Sequence, residues 1–235
     1  MDRGACVICS LHPMFTQIRR DIKVIFERDP AARSTIEIIF CYPGFHALLF
    51  YRISHWFWRY NLLFLGRFIS NIGRFFTGIE IHPAAKIGGG FFIDHGMGVV
   101  IGETTEIGED CTIFQGVTLG GVSLEKDKRH PTLQDNVIVG AGATILGPVT
   151  IGANSRIGAG SVVINEVPPN STVIGIPGKV VYTGALPPDS FVDIDYRDIS
   201  DPVAKAIKCI IKRVSSLEKE IIELKNRKDV TKDIS

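Results

Sequence analysis

Two short segments of the sequence set a histidine beside a charged residue, Asp94-His95 and Arg129-His130. An imidazole titrates closer to neutral pH than any other unperturbed side chain, so it can take up or release a proton at physiological pH. A guanidinium stays charged and can bind a carboxylate through two parallel hydrogen bonds. These residue types suit proton transfer and the binding of an anionic group, provided that the fold brings them to one place.

The cysteines offer a second kind of chemistry, which their spacing does not support. Cys6 and Cys9 form a CxxC segment, but a structural zinc site needs a second pair, and Cys41, Cys111 and Cys209 do not form one. Five scattered cysteines, an odd number, also argue against a disulfide framework. A reducing cytoplasm is therefore the predicted location, and no metal site is predicted.

The elements that must position these residues are predicted by a repeat of six residues between positions 80 and 165. Six fits neither a helix nor a single strand, but it fits a short strand followed by a tight turn. Three such units give one coil of a triangular, parallel β-helix whose aliphatic residues point inward. The alternative, a glycine-rich β-sandwich, would alternate at every second residue. The repeat is carried by Ile81, Ile87, Ile93 and Val99, by Ile101, Ile107, Ile113 and Leu119, and by Leu133, Val139, Ile145, Ile151, Ile157 and Val163.

The repeat is broken at two points. Val99 and Ile101 are two residues apart, and the interval from Leu119 to Leu133 is 14 residues instead of six. The eight extra residues must leave the coil as a loop within residues 120–130. Long excursions from a repeat scaffold are commonly functional, and this one carries Arg129-His130.

The rest of the chain divides by composition and periodicity. Residues 1–13 are predicted as a flexible extension and residues 14–77 as a helical domain, followed by the β-helix over 78–183. A linker over 184–200 leads to a C-terminal helix and tail, 201–235, in which apolar residues recur at heptad spacing. The fold class is therefore α+β: an N-terminal helical cap, a β-helix and a C-terminal helix that either assembles subunits or packs on the coil.

Composition excludes several classes of protein. The chain has 235 residues with 26 basic and 25 acidic side chains, a balance that argues against a nucleic-acid-binding surface. No apolar run is long enough to cross a bilayer, and no secretory signal is convincing. The helical region is rich in aromatic residues, which predicts a core or a subunit interface. A membrane-surface role for that region is the less favoured alternative.

Several motifs together resemble the serine O-acetyltransferases, in the short bacterial form, over roughly residues 15–183. The resemblance implies a left-handed β-helix, a homotrimer or a dimer of trimers, and active sites between neighbouring prisms. The motifs are Gly78 to Gly88, Ile93 to Gly96, Gly116 to Gly121, Arg129 to Pro131, Gly140 to Ala143 and Ile157 to Val163, with Arg28 to Ala32 and Gly44 to Ala47 upstream.

The reaction implied is transfer of acetyl from acetyl-CoA to the hydroxyl of L-serine, the first step of cysteine biosynthesis. A serine hydroxyl is a weak nucleophile, so a base must take its proton as it attacks the thioester. His95 is the candidate base, and Glu80 is expected to orient it and stabilise the imidazolium. Glu80 and His95 are 15 residues apart, slightly less than an 18-residue coil, so they are expected at one edge of the prism. The family usually has Asp at the position of Glu80.

The same resemblance assigns substrate and cofactor contacts. His130 is expected near the reacting centre, Arg129 on the serine carboxylate, and Asp29 and Asp94 on the ammonium group, although Asp29 also fits a helix N-cap. Acetyl-CoA is the co-substrate. Its groove is expected to be lined by Gly121, Ala141, Arg156, Ala159 and Lys179.

Two further partners follow from the family. L-cysteine is the expected feedback inhibitor, since it shares the amino-acid backbone of serine. O-acetylserine sulfhydrylase, which receives a C-terminal Ile in many members, is a doubtful partner because Ile234 is penultimate here.

Three other functions compete with this interpretation. One is an acetyltransferase of the same coil acting on a sugar or another hydroxyl, which the motifs around Asp29 and Gly44 disfavour. The second is a zinc hydratase of the γ-carbonic anhydrase type, since His82, His95 and His130 number three, but the required pair of ligands five residues apart is absent. The third is a non-catalytic scaffold built around the C-terminal helix.

Overall fold

The computed structural model of the protein describes residues 7–183, with the side chains of residues 16–183. The predicted linker, 184–200, and the predicted C-terminal helix and tail, 201–235, lie outside the described residues. The described part consists of four helices followed by fifteen short strands.

The helices are α1 (Val7–Arg28), α2 (Thr35–Cys41), α3 (Pro43–Arg59) and α4 (Leu63–Thr77). Their ends have local causes. The Ser34 side chain accepts a hydrogen bond from the backbone N–H of Glu37 and so caps α2. A proline opens α3, where its missing N–H costs no helical hydrogen bond. Gly78, with φ 68°, ends α4 in the left-handed conformation that suits glycine.

The start of α1 differs from the predicted extension over residues 1–13. The helix already includes residues 7–13, so no element boundary falls at residue 13. Pro13 removes a single backbone donor, and the spacing of Leu11, Phe15 and Ile18 continues the apolar periodicity across it.

The strands are β1 (Glu80–Ile81), β2 (Lys86–Ile87), β3 (Phe92–Ile93), β4 (Val100–Ile101), β5 (Glu106–Ile107), β6 (Thr112–Ile113), β7 (Thr118–Gly120), β8 (Thr132–Leu133), β9 (Ile138–Val139), β10 (Thr144–Leu146), β11 (Thr150–Ile151), β12 (Arg156–Ile157), β13 (Val162–Val163), β14 (Ser171–Ile174) and β15 (Lys179–Thr183). From β1 to β13, each strand pairs with the strand three places along the chain; β14 pairs with β12, and β15 pairs with β14. The first sheet has the order β1-β4-β7-β10-β13, the second β11-β8-β5-β2 and the third β15-β14-β12-β9-β6-β3.

All strand pairs except the last are parallel, which confirms the three-faced coil predicted from the repeat. In the first sheet Ile81 pairs with Ile101, and Ile101 pairs with Leu119. These aliphatic residues form one continuous buried core that runs through the coil. The antiparallel pairing of β14 with β15 closes the third sheet.

The predicted loop leaves the coil without disturbing the register. Leu119 on β7 pairs with Ile145, and Leu133 on β8 pairs with Ile107, so both flanking strands keep their places. Residues 121–128 between them are exposed and contain no strand. The excursion therefore adds a surface segment to one corner, between the first and second sheets.

The helical cap docks on the first coils through a buried ion pair and one close backbone approach. The Asp21 carboxylate accepts hydrogen bonds from Arg52 Nε at 3.1 Å and from the Gly90 N–H at 3.2 Å, which joins α1, α3 and the coil. Gly44 on α3 lies so near β3 that a Cβ at this position would be 2.2 Å from the Ile93 carbonyl oxygen. The end of α1 and the start of α3 are thus fixed beside Asp94.

One further property of the helices concerns length and hydropathy. No single described helix is long and apolar enough to cross a membrane. Helices α2 and α3 taken together are long and apolar enough, but they are bent by 72° at the break between them.

The buried ion pair generates a prediction about stability. Burial raises the pKa of the Asp21 carboxyl although Arg52 opposes this, so desolvation offsets much of the attraction. Removing one partner is still costly, because the other charge is left buried and unpaired. We expect Asp21→Ala to lower the free energy of unfolding by about 3–5 kcal/mol. The measurement is urea denaturation followed by circular dichroism.

The matched control lies on the same helix. Glu27 forms an ion pair with Lys23 at 3.1 Å, and both side chains are more than half exposed. We expect Glu27→Ala to cost about 0.5 kcal/mol or less. Equal losses in the two variants would contradict a special role for the buried pair.

Candidate active site

The first group of candidate residues, here the cap group, is Asp29, Tyr42, Asp94 and His95. The Tyr42 hydroxyl donates to Asp29 Oδ2 at 2.6 Å, and the Ala31 N–H donates to Asp29 Oδ1 at 2.8 Å. His95 Nε2 lies 3.9 Å from Asp94 Oδ2, and the His95 side chain is 73% exposed. An accessible imidazole therefore stands beside the Asp94 carboxylate.

The pKa values of the cap group are shifted by burial and by the neighbouring charges. Partial burial raises the pKa of the Asp94 carboxyl, and the negative charge of Asp29 raises it further, whereas His95 opposes the shift. Burial and the hydrogen bond to Asp29 also raise the pKa of Tyr42. Two carboxylates that repel one another in this way lower their repulsion by binding a cation, and an ammonium group has the required charge.

The backbone at His95 is unusual. Its φ is +57°, and Gly96 follows with φ +77°. Asp110, Asn136, Asn154 and Asn170 share this left-handed conformation, so it is one that the coil uses to turn its corners, although a histidine adopts it less readily than Asn or Asp. The turn projects the imidazole from the corner between the third and first sheets.

The second group, here the loop group, is His82, Glu103, Thr104, Arg129 and His130. Arg129 Nη2 forms an ion pair with Glu103, and Arg129 Nη1 donates to the Glu125 carbonyl at 2.9 Å. The His130 ring receives the Thr104 N–H at Nδ1, at 3.2 Å. The returning end of the loop is thereby held against the second coil.

Two glycines make room for the His130 ring. A Cβ at Gly102 would lie 1.9 Å from His130 Cδ2, and a Cβ at Gly121 would lie 3.2 Å from Nε2. Burial, with the positive charge of Arg129, lowers the pKa of His130. Burial also lowers the pKa of His82, to about 4, so this ring is neutral at physiological pH.

Glu80, the predicted partner of His95, has another neighbour in the protomer. Its Oε2 lies 3.1 Å from Nη1 of Arg74, on the last turn of α4. No hydrogen bond joins Glu80 to His95 among the described residues, so the predicted pair stays a prediction. The ion pair with Arg74 is partly exposed, and exchange of such a partner costs little.

The cap group and the loop group occupy different corners of the coil. Residues 94–99 connect the third sheet to the first, whereas residues 102–105 and the loop connect the first sheet to the second. The crossing from 99 to 102 alone spans about 10 Å at roughly 3.3 Å per residue. Within the described protomer no hydrogen bond or ion pair links the two groups.

The predicted coenzyme A residues divide between the same corners. Ala141 and Ala159 lie on the later coils above His95, where the Gly160 N–H donates to the Ala141 carbonyl at 2.8 Å. Gly121 lies at the loop corner. Arg156 on β12 and Lys179 on β15 belong to the third sheet, and burial lowers the pKa of Arg156. Four of the five therefore lie on the third sheet or at the corner that follows it, and Gly121 lies at the loop corner.

Two contacts of the site escaped sequence reasoning. Tyr42 immediately precedes Pro43-Gly44, and nothing in its surroundings marks it as a partner of Asp29. Thr104 lies within two residues of Gly102, and its role depends on where a loop returns 26 residues later. Among residues 16–183 no set of three potential metal ligands converges, so His82, His95 and His130 do not form a zinc site within the protomer.

Comparison with known proteins agrees with this geometry. The family model "Serine acetyltransferase, N-terminal" matches residues 7–49, and "Bacterial transferase hexapeptide (six repeats)" matches residues 130–165. Serine acetyltransferase of Bacillus subtilis is 52% identical over 211 residues, which cover 90% of this chain and 93% of the relative. The enzyme of Synechococcus elongatus is 50% identical over 208 residues, 88% of this chain and 84% of the relative.

Solved structures show the same likeness. Serine acetyltransferase of Neisseria gonorrhoeae in complex with serine has a TM-score of 0.71 at 42% identity, over 74% of this chain and 71% of the other. The enzyme of Brucella abortus in complex with coenzyme A has a TM-score of 0.72 at 36% identity, over 75% and 72%. A serine acetyltransferase in complex with cysteine has a TM-score of 0.72 at 41% identity, over 74% and 72%.

The coil of six-residue units, carrying histidines at its corners, defines a transferase of the hexapeptide-repeat class. The helical cap and the extent of the similarity then decide between members of that class. The chain belongs to the serine acetyltransferase family.

The cap group generates a prediction about titration. Because the negative charge of Asp29 disfavours ionisation of Asp94, Asp29→Asn should lower the Asp94 pKa towards its ordinary value. Carbon-detected NMR titration of the carboxyl groups measures the shift. Glu27→Gln alters an exposed carboxylate on the last turn of α1, and it should leave the Asp94 pKa unchanged. An Asp94 pKa that does not move in Asp29→Asn would contradict the coupling.

Proposed function

We propose that this protein transfers the acetyl group of acetyl-CoA to the hydroxyl of L-serine, giving O-acetyl-L-serine and CoA, the first step of cysteine biosynthesis. The observation that carries the proposal is the exposed imidazole of His95 beside Asp94, whose carboxyl also interacts with the charge of Asp29, on a scaffold of the serine acetyltransferase family. The carboxylates match a substrate ammonium group and the imidazole matches a hydroxyl that must lose its proton.

His95 is the proposed general base. It takes the serine hydroxyl proton as the oxygen attacks the thioester carbon, and it returns that proton to the departing thiolate. Glu80 is the proposed orienting carboxylate, and only its Oε2 is paired with Arg74. Since the Arg74–Glu80 pair is partly exposed, loosening it is a small cost against stabilising an imidazolium.

Substrate recognition is proposed to use both groups. Asp29 and Asp94 bind the ammonium of L-serine, and Arg129 binds its carboxylate, with His130 near the reacting centre. The structure of one relative was solved in complex with serine, and that of another in complex with cysteine. These complexes support a site for the amino-acid backbone that serine and cysteine share. L-cysteine is accordingly the proposed feedback inhibitor, competing with L-serine.

Acetyl-CoA is the proposed co-substrate, since a relative binds coenzyme A. Ala141 and Ala159 are small residues on the coils above His95, and they leave space for a pantetheine arm. Arg156 and Lys179 supply positive charge for the phosphates, and Gly121 faces the arm from the loop corner.

A complete site requires two copies of the chain. The cap group and the loop group lie at different corners, so the proposed assembly is a homotrimer of left-handed coils in which one subunit's His95 corner faces the next subunit's loop corner. The exposed aromatic face of α4, which includes Phe64, Phe68, Phe75 and Phe76, suits a contact that would pair two trimers. A cytoplasmic setting agrees with the free thiols of Cys41 and Cys111.

The activity is tested by thiol release from acetyl-CoA. We expect release with L-serine, not with a panel of sugars, and inhibition by millimolar L-cysteine that added serine reverses. His95→Ala should lower kcat by about 100-fold or more with the fold intact, because the base acts in the transition state. Near-normal turnover in His95→Ala, or a preference for sugars, would contradict the proposal.

The shared site is tested by mixing two inactive variants. His95→Ala and His130→Ala chains, co-expressed with different tags, should regain roughly a quarter of the wild-type activity, because about one interface in four joins an intact His95 to an intact His130. Each variant alone, and the two mixed after separate assembly, are the controls. Activity no higher in the mixed oligomers than in either variant alone would mean that each site lies within one chain.

A further inference from the structure

The polar contacts of Thr104 account for every hydrogen-bonding capacity of its hydroxyl. Oγ1 accepts the backbone N–H of Arg129 at 3.0 Å and the backbone N–H of His130 at 3.0 Å. Its own hydrogen is then free to point at His130 Nδ1, which lies 2.9 Å away. A hydroxyl has one donor and two acceptor positions, so the geometry leaves none unused.

The backbone of Thr104 determines which ring nitrogen carries hydrogen. The Thr104 N–H also points at His130 Nδ1, at 3.2 Å, and a backbone N–H can only donate. Nδ1 therefore accepts and has no proton, which places the single imidazole hydrogen on Nε2. Two donors from one residue converge on the same lone pair.

We infer that Thr104 is a positioning residue that holds His130 in the neutral Nε2–H tautomer and so makes it a hydrogen-bond donor in the acetyl-transfer site. The inference rests on the proposed function for the meaning of the site, but the tautomer itself can be observed without turnover. Thr104 does not touch the substrate in this scheme; it acts through His130 and through the end of the loop.

The surroundings of His130 leave Nε2 available for that donation. Gly102 and Gly121 flank the ring, and a Cβ at Gly102 would lie 2.1 Å from Nε2. Among the described residues no group hydrogen-bonds Nε2. The charged and titratable groups facing the ring are Arg129 and Lys128 on the loop, Glu103 on the second coil and His82 on the first. Arg129 and Lys128 favour the neutral ring, and Glu103 opposes them.

In the reaction the two histidines have different roles: His95 transfers the proton, and His130 donates a hydrogen bond. The bond from the serine oxygen to the acetyl carbon forms and the bond from that carbon to sulfur breaks, while the serine proton passes to His95 and then to the CoA thiolate. His130 gains no proton at any stage. Its Nε2–H is a donor for the negative charge that the substrate carries or develops.

The test uses the full chain and three substitutions. Thr104→Val removes the hydroxyl, Thr104→Ser keeps it, and Thr105→Val is the matched control, since the buried Thr105 hydroxyl makes no hydrogen bond among the described residues. Long-range nitrogen–proton NMR spectra of the imidazoles report the tautomer, and His130→Gln identifies the signals of His130. Steady-state rates of thiol release across pH report the function.

We expect His130 in the wild-type protein, in Thr104→Ser and in Thr105→Val to be the Nε2–H tautomer. In Thr104→Val the backbone donor remains and keeps the Nε2–H tautomer, but loss of the hydroxyl donor should raise the pKa of His130, followed in the same spectra across pH, and lower kcat/KM roughly tenfold. A donor to Nδ1 stabilises only the neutral ring. Loss of that donor therefore raises the pKa of His130.

Two results would overturn the inference. One is an Nδ1–H tautomer in the wild-type protein, which needs no variant to fold. The other is a folded Thr104→Val protein with the wild-type His130 pKa and the wild-type kcat/KM, which would reduce Thr104 to an anchor of the loop. A wild-type protein that shows the Nε2–H tautomer but does not acetylate serine would refute the proposed function and leave the tautomer assignment standing.

Discussion

The structure depends on the requirement that each inward aliphatic residue stack on the corresponding residue of the next coil. Strands of two or three residues bury little surface by themselves, so their stability comes from the continuous column that they build together. This requirement fixes the faces of the prism and leaves freedom only at the corners. The candidate functional residues lie mostly at two of those corners, His95 at one and Arg129 and His130 at the other, while the faces serve as a frame.

The helical cap adds a second carboxylate, Asp29, to the corner of the coil that carries His95. Helix α1 ends close to Asp94 because the Asp21–Arg52 pair and the close approach of Gly44 to β3 fix the cap against the first coil. Asp29 thereby becomes a second carboxylate at the His95 corner. Without the cap Asp94 would lack this second carboxylate, and the attraction for a substrate ammonium would be weaker. The buried ion pair thus connects the stability of the cap to the composition of the site.

Sequence reasoning succeeded where the physics is periodic. The six-residue interval predicted the sheets, and the interval from Leu119 to Leu133 predicted the loop and its length. It was less informative where a contact depends on side-chain reach. The contact of Glu80 with His95 stays a prediction, and the pairing of Glu80 with Arg74 in the protomer was not foreseen, because no periodicity encodes which way a flexible carboxylate turns. Tyr42 and Thr104 were missed because their partners are brought to them by a helix connection and by a returning loop.

The column of stacked coils also governs how the length of such a chain can change during evolution. Each coil contacts only the coil above and the coil below, and β15 closes the stack wherever the stack ends. Gain or loss of residues is therefore tolerable in two sizes: an arbitrary length at a corner, as in the loop after β7, or a whole coil at once. A change of one residue within a face would turn the inward column outward along every later strand. Descendants of this chain can thus lengthen their upper coils, where the coenzyme is proposed to lie, and still keep the His95 corner in register.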